Sequence, residues 1–515
     1  MLKALTARHM ALRLLLCAAL GASTVLAFAP IGAFPLLPLT LGTLFLLLRQ
    51  APSVRAGALY GAAFGSGLFL AGVSWVYVSL SVFGGMPAWL AGLATLLFCL
   101  ALALYPALTG ALTVRLRSGN GMLDAMTFAA LWTLAEWLRG WLLTGFPWLA
   151  AGYAQTPPSP LAGYAPIIGV YGLSFLSLAI GALGAHALVT ARARQLQPTA
   201  ASLLAIACIA AGGHYLRGIT WTMPHGEPLT VALLQGNVPQ DLKWRPEIFD
   251  ASLRAYYQLA REHPAQLTVL PETALPAFLE RIPRAYLDAL TELARRQNGD
   301  ILLGVPTGNS QRYANSVVTL GQSPAQRYDK FHLFPFGEFV PPGFRWFMAQ
   351  ANIPMSDFTP GDRVQTPLAV AGQRVAANIC YEDAFGEEII RAVPQATLLV
   401  NVSNVAWFGD SLAPQQHLQI ARLRALETRR TMLRATNTGM TAIVTPDGTV
   451  QGALPPFTRG ALTGEAQGHT GETPFVRWGN VPLITLLAAF VALIAARRWR
   501  RTEQQAKRQG FADRR

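Results

Sequence analysis

Charge is what this sequence has least of. Only 13% of its 515 residues are Asp, Glu, Lys or Arg, while 52% are hydrophobic. A water-soluble globular chain carries roughly 25% charged residues, so the shortfall excludes an ordinary soluble protein and points to one built largely in lipid. Cysteine is scarce as well. There are 4, and Cys17, Cys99 and Cys208 each lie inside an apolar run. That excludes a disulfide framework, and no zinc-ligand spacing is present, so no metal or cofactor is expected. Negative charge is the scarcer sign: 27 Asp and Glu stand against 41 Lys and Arg, a net +14. Such a balance first suggests nucleic acid, but the cations form no stripe. They sit in short clusters between apolar runs, densest at Arg497-Arg498-Trp499-Arg500-Arg501. Clusters of this kind fix membrane topology and favour anionic lipid, so membrane lipid rather than nucleic acid is the expected partner.

What is there in quantity is apolar sequence. A spanning helix needs about 20 apolar residues. Residues 14–48 contain no charge and have room for two helices turning at Pro30 and Pro35. Residues 56–114 are also uncharged and fit two more around Phe83-Gly84-Gly85-Met86-Pro87. Further spans are predicted over Leu123–Leu143, Ile167–Thr190, a weaker Ala200–Tyr215, and Trp478–Ala496, giving an α-helical membrane bundle of about eight spans. A signal peptide is the alternative at the start, where Lys3, Arg8 and Arg13 precede an apolar run and Ala27-Phe28-Ala29 resembles a cleavage site. Pro30 would follow that cut and a second apolar run follows at once, which favours an uncleaved helix.

The cations assign sides. Lys and Arg mark the cytoplasmic face. The N-terminus is basic, as are the connections holding Arg49 and Arg55, Arg115 and Arg117, and Arg192 and Arg194, and the C-terminal tail. The connections after the first, third and fifth spans contain no Lys or Arg. This alternation puts both termini in the cytoplasm. It divides the chain into a seven-span membrane domain (1–217), a domain on the far side (218–476), and a last span with its basic tail (477–515). Within the fifth span Glu136 and Arg139 share one helical face, with Trp137, Trp141 and Trp148 near the interface. Intramembrane charges are costly unless paired. Either the two fix packing together, or Arg139 holds a lipid phosphate.

Residues 218–476 change character. Short β-rich runs at Leu229–Leu234, Leu267–Leu270, Ile301–Val305, Ser316–Leu320, Val375–Ile379, Thr397–Val402 and Ala442–Thr445 alternate with helical patterns at Pro246–Arg261, Pro283–Arg296 and Pro414–Arg434. That alternation predicts an extramembrane α/β layered domain. Three polar groups stand where its apolar runs end. Cys380 closes Val375-Ala376-Ala377-Asn378-Ile379 and opens Tyr381-Glu382, Glu272 follows Leu270-Pro271, and Lys330 begins Lys330-Phe331-His332. Each has an ordinary reading: a packed thiol, a solvated rim carboxylate, a surface ion pair. Together they supply acyl-transfer chemistry. A thiol near pKa 8.5 is mostly protonated at neutral pH. A carboxylate in a dry pocket can take its proton, and an ammonium can stabilise both the thiolate and the oxyanion that forms on an acyl carbon. His332 is read as a packed loop histidine.

At these stretches the chain resembles the carbon–nitrogen hydrolase (nitrilase) superfamily, whose Glu-Lys-Cys triad sits on an αββα sandwich. It resembles one family there more closely. The segments Gln235-Gly236-Asn237-Val238-Pro239-Gln240, Pro271-Glu272-Thr273-Ala274, Pro335-Phe336-Gly337-Glu338, Cys380-Tyr381-Glu382, Ala406-Trp407-Phe408-Gly409-Asp410 and, in the membrane part, Glu136-Trp137-Leu138-Arg139-Gly140 are similar to those of apolipoprotein N-acyltransferases. The resemblance implies a bacterial inner-membrane enzyme with a periplasmic catalytic domain. Such an enzyme moves an acyl chain from a phospholipid, through a cysteine thioester, to the α-amino group of the diacylglyceryl-cysteine of an apolipoprotein. It implies Glu272 as general base, Lys330 as partner of thiolate and oxyanion, and Cys380 as nucleophile. Glu338 and Glu382 become supporting acids, Tyr381 lines the site, and Trp244 gates substrate. Two positions depart from the family pattern: Leu270 replaces a Trp before Pro-Glu, and Val405 an Asp before Ala-Trp-Phe-Gly. The apolar run 341–348, with Phe344, Trp346 and Phe347, is a candidate lid dipping into lipid. A membrane-tethered amidase or nitrilase hydrolysing a periplasmic amide is the alternative, and a non-catalytic transporter or lipid-binding protein a third reading. One span would suffice to anchor the amidase, and a decayed domain would not need all three triad residue types.

Overall fold

A computed structural model of the chain describes residues 2–341, 343 and 357–512, with side chains left out at 2–8, 246 and 505–512. Most of the candidate lid at 341–348 therefore lies outside the described residues. The chain divides into two compact units: residues 1–74, 96–218 and 480–515 form one, and 75–95 with 219–479 form the other.

The first unit is helical. Eight of its helices answer to the eight predicted spans: Leu2–Thr24, Leu36–Arg49, Val54–Gly72, Ala88–Arg115, Gly121–Arg139, Ala165–Arg192, Leu196–Arg217 and Val481–Ala512. The Ala88–Arg115 helix begins in the 75–95 segment of the other unit. Among the described residues, 6 helices are long and apolar enough to cross a membrane, and the protein is a membrane protein. Leu36–Arg49 is short, at 14 residues, and Gly121–Arg139 carries Asp124, Glu136 and Arg139 in 19. Inside this unit Glu136 is buried. Its Oε1 accepts from Trp132 Nε1 at 2.8 Å and from the Ala151 amide at 3.0 Å. Arg139 is 3% exposed, donates to the Phe146 and Trp148 carbonyls at 2.5 and 2.6 Å, and lies over the Phe69 ring. A lipid phosphate, the partner considered for Arg139, would have to compete with those carbonyls.

The second unit is a four-layer sandwich. Its strands are β1 (Met223–Gln235), β2 (Leu267–Val269), β3 (Asp300–Gly308), β4 (Tyr313–Gly321), β5 (Arg327–Asp329), β6 (Leu368–Val370), β7 (Gln373–Ile379), β8 (Leu398–Ser403), β9 (Met432–Thr436), β10 (Ala442–Val444), β11 (Val450–Ala453) and β12 (Gly460–Thr470). They form two six-stranded sheets, ordered β12-β1-β2-β3-β4-β5 and β11-β10-β9-β8-β7-β6. Side chains alternate across a strand, and here both faces of each sheet are apolar. Val231, Leu233, Val269 and Leu302 of one sheet meet Val375, Ile379, Val400 and Leu433 of the other in a shared core. Ala232, Leu234, Ile301 and Leu303, facing the opposite way, pack under Tyr256 and Leu259 of the Pro246–Glu262 helix and Leu290 of the Arg284–Arg296 helix. Ala376, Leu399 and Met432 do the same under Leu418, Ala421 and Ala425 of the Ala413–Thr428 helix. Each fully buried aliphatic side chain contributes about 1.5–3 kcal/mol, and two-sided burial is why these strands read as continuous apolar runs.

Two expectations change. The helix predicted over Pro414–Arg434 ends at Thr428, because Arg429 adopts the left-handed conformation (φ 51°) and turns the chain into β9. Residues 75–95, assigned by hydropathy to the membrane domain, group instead with the sandwich. Trp75 Nε1 donates to Gln416 Oε1 at 3.2 Å, and its ring meets Phe408 edge-on at 4.6 Å. Phe83 meets Trp407 in the same way. The segment is no core, since Val82 and Trp89 are 63% and 71% exposed, and residues 88–95 open the Ala88–Arg115 helix, one of the candidate spans.

Candidate active site

Glu272, Cys380 and Asn404 lie just beyond the carboxyl ends of β2, β7 and β8, all of which run parallel to a neighbour. Lys330 follows β5 directly, its amide bonded to the Asn315 carbonyl of β4 at 2.8 Å. The two sheets thus bring together three groups separated widely in sequence. Lys330 is 1% exposed, and its Nζ lies 2.7 Å from Glu338 Oε2 and 3.8 Å from Glu272 Oε1. Asn315 ties the two carboxylates, donating through Nδ2 to Glu272 Oε1 at 2.7 Å and Glu338 Oε1 at 2.9 Å. The Asn404 amide donates to Glu272 Oε2 at 2.7 Å and the Phe334 amide to Glu338 Oε2 at 2.8 Å.

Charge in this pocket is decided by enclosure. Burial works against the Lys330 cation, but Glu338 and Glu272 together hold its ammonium above its ordinary value. Burial raises the Cys380 thiol well above its usual range, Glu272 reinforces the rise, and Lys330 opposes it. The resting site is therefore a thiol beside a cation and two carboxyl groups. The thiol needs a base before it can act as a nucleophile.

Cys380 sits at φ +53°, a left-handed conformation that costs a non-glycine residue about 1–3 kcal/mol. Asn401 Nδ2 donates to its carbonyl at 3.0 Å and His417 Nε2 does so at 3.2 Å. His417 Nε2 also lies 2.7 Å from Asp383 Oδ1. Burial and Arg434 lower His417 below its ordinary value, so the neutral ring donates through this nitrogen. Arg434 Nη1 in turn donates to Asp383 Oδ2 at 3.0 Å and Asn401 Oδ1 at 2.6 Å. A buried polar network therefore fixes the turn that carries the sulfur.

Glu382 has a different task. Its carboxylate accepts from the Ile379, Phe331 and His332 amides at 2.7, 2.8 and 3.0 Å and from the Tyr328 hydroxyl at 2.9 Å. It ties the Cys380 turn to the segment after Lys330. Burial pushes it up to about 7, against Lys330 and those amides, which favour its anion. Tyr381 is buried, its ring edge-on to Phe334 and Phe385 at 5.0 Å. His332 packs as read, stacked on Phe385 at 3.6 Å with Nδ1 3.2 Å from Glu388. Trp244 is half-buried in the turn before the Pro246–Glu262 helix. Arg139 belongs to the other unit. Leu270 and Val405, the two departures, are both buried apolar residues, and no acid stands at 405.

Sequence reasoning missed Asn315, Asn401, Asn404, Asp383, His417, Arg434 and Lys243. A buried amide or cation inside a strand or helix leaves no periodic trace. Lys243 had one available signal, its place beside Trp244. It is 1% exposed and donates to Thr273 Oγ1 at 2.7 Å and the Glu272 carbonyl at 3.4 Å. Burial lowers it to about 7, with Glu272 opposing. Among the described residues no group of three or more His, Cys, Asp or Glu is arranged to hold a metal ion.

The sandwich and its cleft define a class: residues 230–475 match the carbon-nitrogen hydrolase domain. A solved carbon–nitrogen hydrolase superfamily protein of Xanthomonas campestris, 19% identical, covers 47% of this chain and 91% of its own with a TM-score of 0.36. The helical part narrows the class, since residues 20–183 match the apolipoprotein N-acyltransferase N-terminal domain. Apolipoprotein N-acyltransferases of Nitrosomonas europaea and Ralstonia nicotianae are 49% and 50% identical over 94% and 93% of this chain, and over 98% and 92% of their own. The chain belongs to the apolipoprotein N-acyltransferase family, and it is an acyltransferase.

Proposed function

We propose that the protein takes an acyl chain from a phospholipid onto Cys380 as a thioester. It then passes that chain to the α-amino group of the diacylglyceryl-cysteine of an apolipoprotein. Glu272 removes the thiol proton as sulfur attacks the ester carbonyl. The negative charge that develops on the carbonyl oxygen is met by Lys330, which Glu338 holds in place and keeps charged. Collapse breaks the ester C–O bond, and Glu272 returns its proton to the departing lysophospholipid alkoxide. In the second half the free amine attacks the thioester, Glu272 takes a proton from nitrogen, and the thiol is regenerated. Water must be kept from the thioester, or hydrolysis replaces transfer.

The observation that carries this reading is the pairing of Lys330 Nζ with both Glu338 and Glu272, at 2.7 and 3.8 Å, inside the cleft where the Cys380 turn ends. The alternation of basic and uncharged connections supports a periplasmic catalytic domain with both termini in the cytoplasm. Trp244 is read as the residue that gates substrate. Incubation with acyl-labelled phospholipid is expected to leave hydroxylamine-sensitive label on Cys380, and an added apolipoprotein amine should discharge it. A Cys380→Ser protein that took up the same label would overturn the nucleophile assignment. Label discharged by water alone would return the amidase reading.

A further inference from the structure

Glu272 sits in a tightly held backbone. Leu270 N bonds the Leu302 carbonyl at 2.8 Å and Ala274 N bonds the Gly304 carbonyl at 2.9 Å, so β3 anchors the chain on either side of it. Between those anchors the strand geometry is lost. Thr273 stands at φ +46°, a conformation that disfavours residues bearing a Cβ. On one side the segment presses on Gly304, where an added Cβ would fall 2.2 Å from the Pro271 oxygen and 2.8 Å from the Glu272 Cα. On another side stands Lys243, reaching Thr273 Oγ1 at 2.7 Å and the Glu272 carbonyl at 3.4 Å.

A buried lysine is a costly way to fill space. Methionine has similar length and no charge to desolvate. The amine gives in return two bonds, one to the Thr273 hydroxyl and one to the Glu272 carbonyl, that hold the chain next to the Glu272 Cα. We propose that Lys243 is a positioning residue for acyl transfer: through Thr273 and the Glu272 carbonyl it holds the strained turn that aims the Glu272 carboxylate at the Cys380 thiol. The proposal rests on Glu272 as base and Cys380 as nucleophile. It adds a residue that touches neither substrate nor sulfur. A misplacement of about 1 Å in a reacting group costs about 100-fold in rate, which sets the scale of the effect.

The test uses the full-length protein with acyl-labelled phospholipid, reading the single-turnover rate of Cys380 labelling and its dependence on phospholipid concentration. Lys243→Met and Thr273→Val are each expected to slow labelling about 30- to 100-fold while the half-saturating phospholipid concentration stays within about twofold. The double variant should be no slower than the worse single one, because both changes break the same bond. Thr273→Ser, which keeps the hydroxyl, should return the rate to within about threefold of the parent. Labelling of Lys243→Met at the parental rate overturns the proposal, and so do losses that multiply in the double variant. If Lys243→Met fails to fold, Thr273→Val decides alone, and a parental rate in it is equally fatal. Cys380→Ser separates the two levels. If it loses label while Lys243→Met does not, the role of Lys243 falls alone. If it keeps label, the reading of the whole site falls, and this proposal with it.

Discussion

Each unit of this protein buries an acid and a base close together in sequence or in space, and each uses them differently. In the helical unit Glu136 accepts from Trp132 and the Ala151 amide, and Arg139 gives to the Phe146 and Trp148 carbonyls. Those charges are bound to three backbone groups and the Trp132 indole, and they close the chain segment that follows their helix. In the sandwich Lys330 is bound to Glu338 and stands near Glu272, while the carboxylates are bridged by Asn315. There the charges answer to one another, beside a thiol whose proton burial makes hard to remove. Charge fixed on carbonyls builds a shape. Charge shared among titratable side chains leaves a proton with somewhere to go.

The sharpest way to test that contrast is to remove the sulfur. Cys380→Ala should abolish acyl transfer, with no label retained, while melting stays close to parental; residual transfer would place the chemistry elsewhere. Lys330→Met comes next. It removes the cation proposed to meet the oxyanion and should slow transfer about 100- to 1000-fold, measured as single-turnover labelling. On the other side of the comparison, Arg139→Met should act on stability. Breaking a buried charged contact costs about 3–5 kcal/mol, seen as a lowered melting temperature, while the folded fraction labels Cys380 at close to the parental rate. A raised half-saturating phospholipid concentration at unchanged stability would instead return Arg139 to the lipid-phosphate role.

A smaller effect comes from Lys243. Its amine titrates at about 7 in the folded protein, against about 10.4 in an unfolded chain. Between those values the unfolded chain binds a proton the folded one does not, so this group makes stability rise with pH across that window. The melting temperature of the parent minus that of Lys243→Met should therefore climb from pH 7 to about 10. A flat difference would show that the amine titrates normally. The smallest effect is expected at Trp244, the proposed gate. Trp244→Ala should raise the half-saturating substrate concentration about three- to tenfold with little change in maximal rate, and a fall in maximal rate alone would remove the gating role.

Much of this was legible in the chain. Alternating basic connections and uncharged runs marked the helices, because a bilayer demands length and apolarity that few other settings require. Runs such as Val375–Ile379 and Leu398–Val402, apolar at every position but Asn378 and Asn401, marked strands covered on both faces. Glu272 and Cys380 were visible as polar residues at the ends of such runs, and Lys330 as the residue that opens Lys330-Phe331-His332. Other features were not legible. The stretch 75–95 is as apolar as its neighbours, so hydropathy grouped it with the membrane domain and gave no sign of its contacts with Phe408, Trp407 and Gln416. Arg429, which ends a helix by turning left-handed, has a side chain with no preference for doing so.

Taken alone, the order of residues determined which segments avoid water and which chemical groups stand where those segments stop, since both are properties of short stretches. Only the folded chain decided which of those groups meet. The distance between Lys330 and Glu338, the tie through Asn315, the two donors on the Cys380 carbonyl and the hold of Lys243 on the Glu272 turn all join residues from separate strands, helices or loops. No local pattern encodes such meetings. They follow from two sheets stacking face to face and bringing the ends of their parallel strands to one cleft.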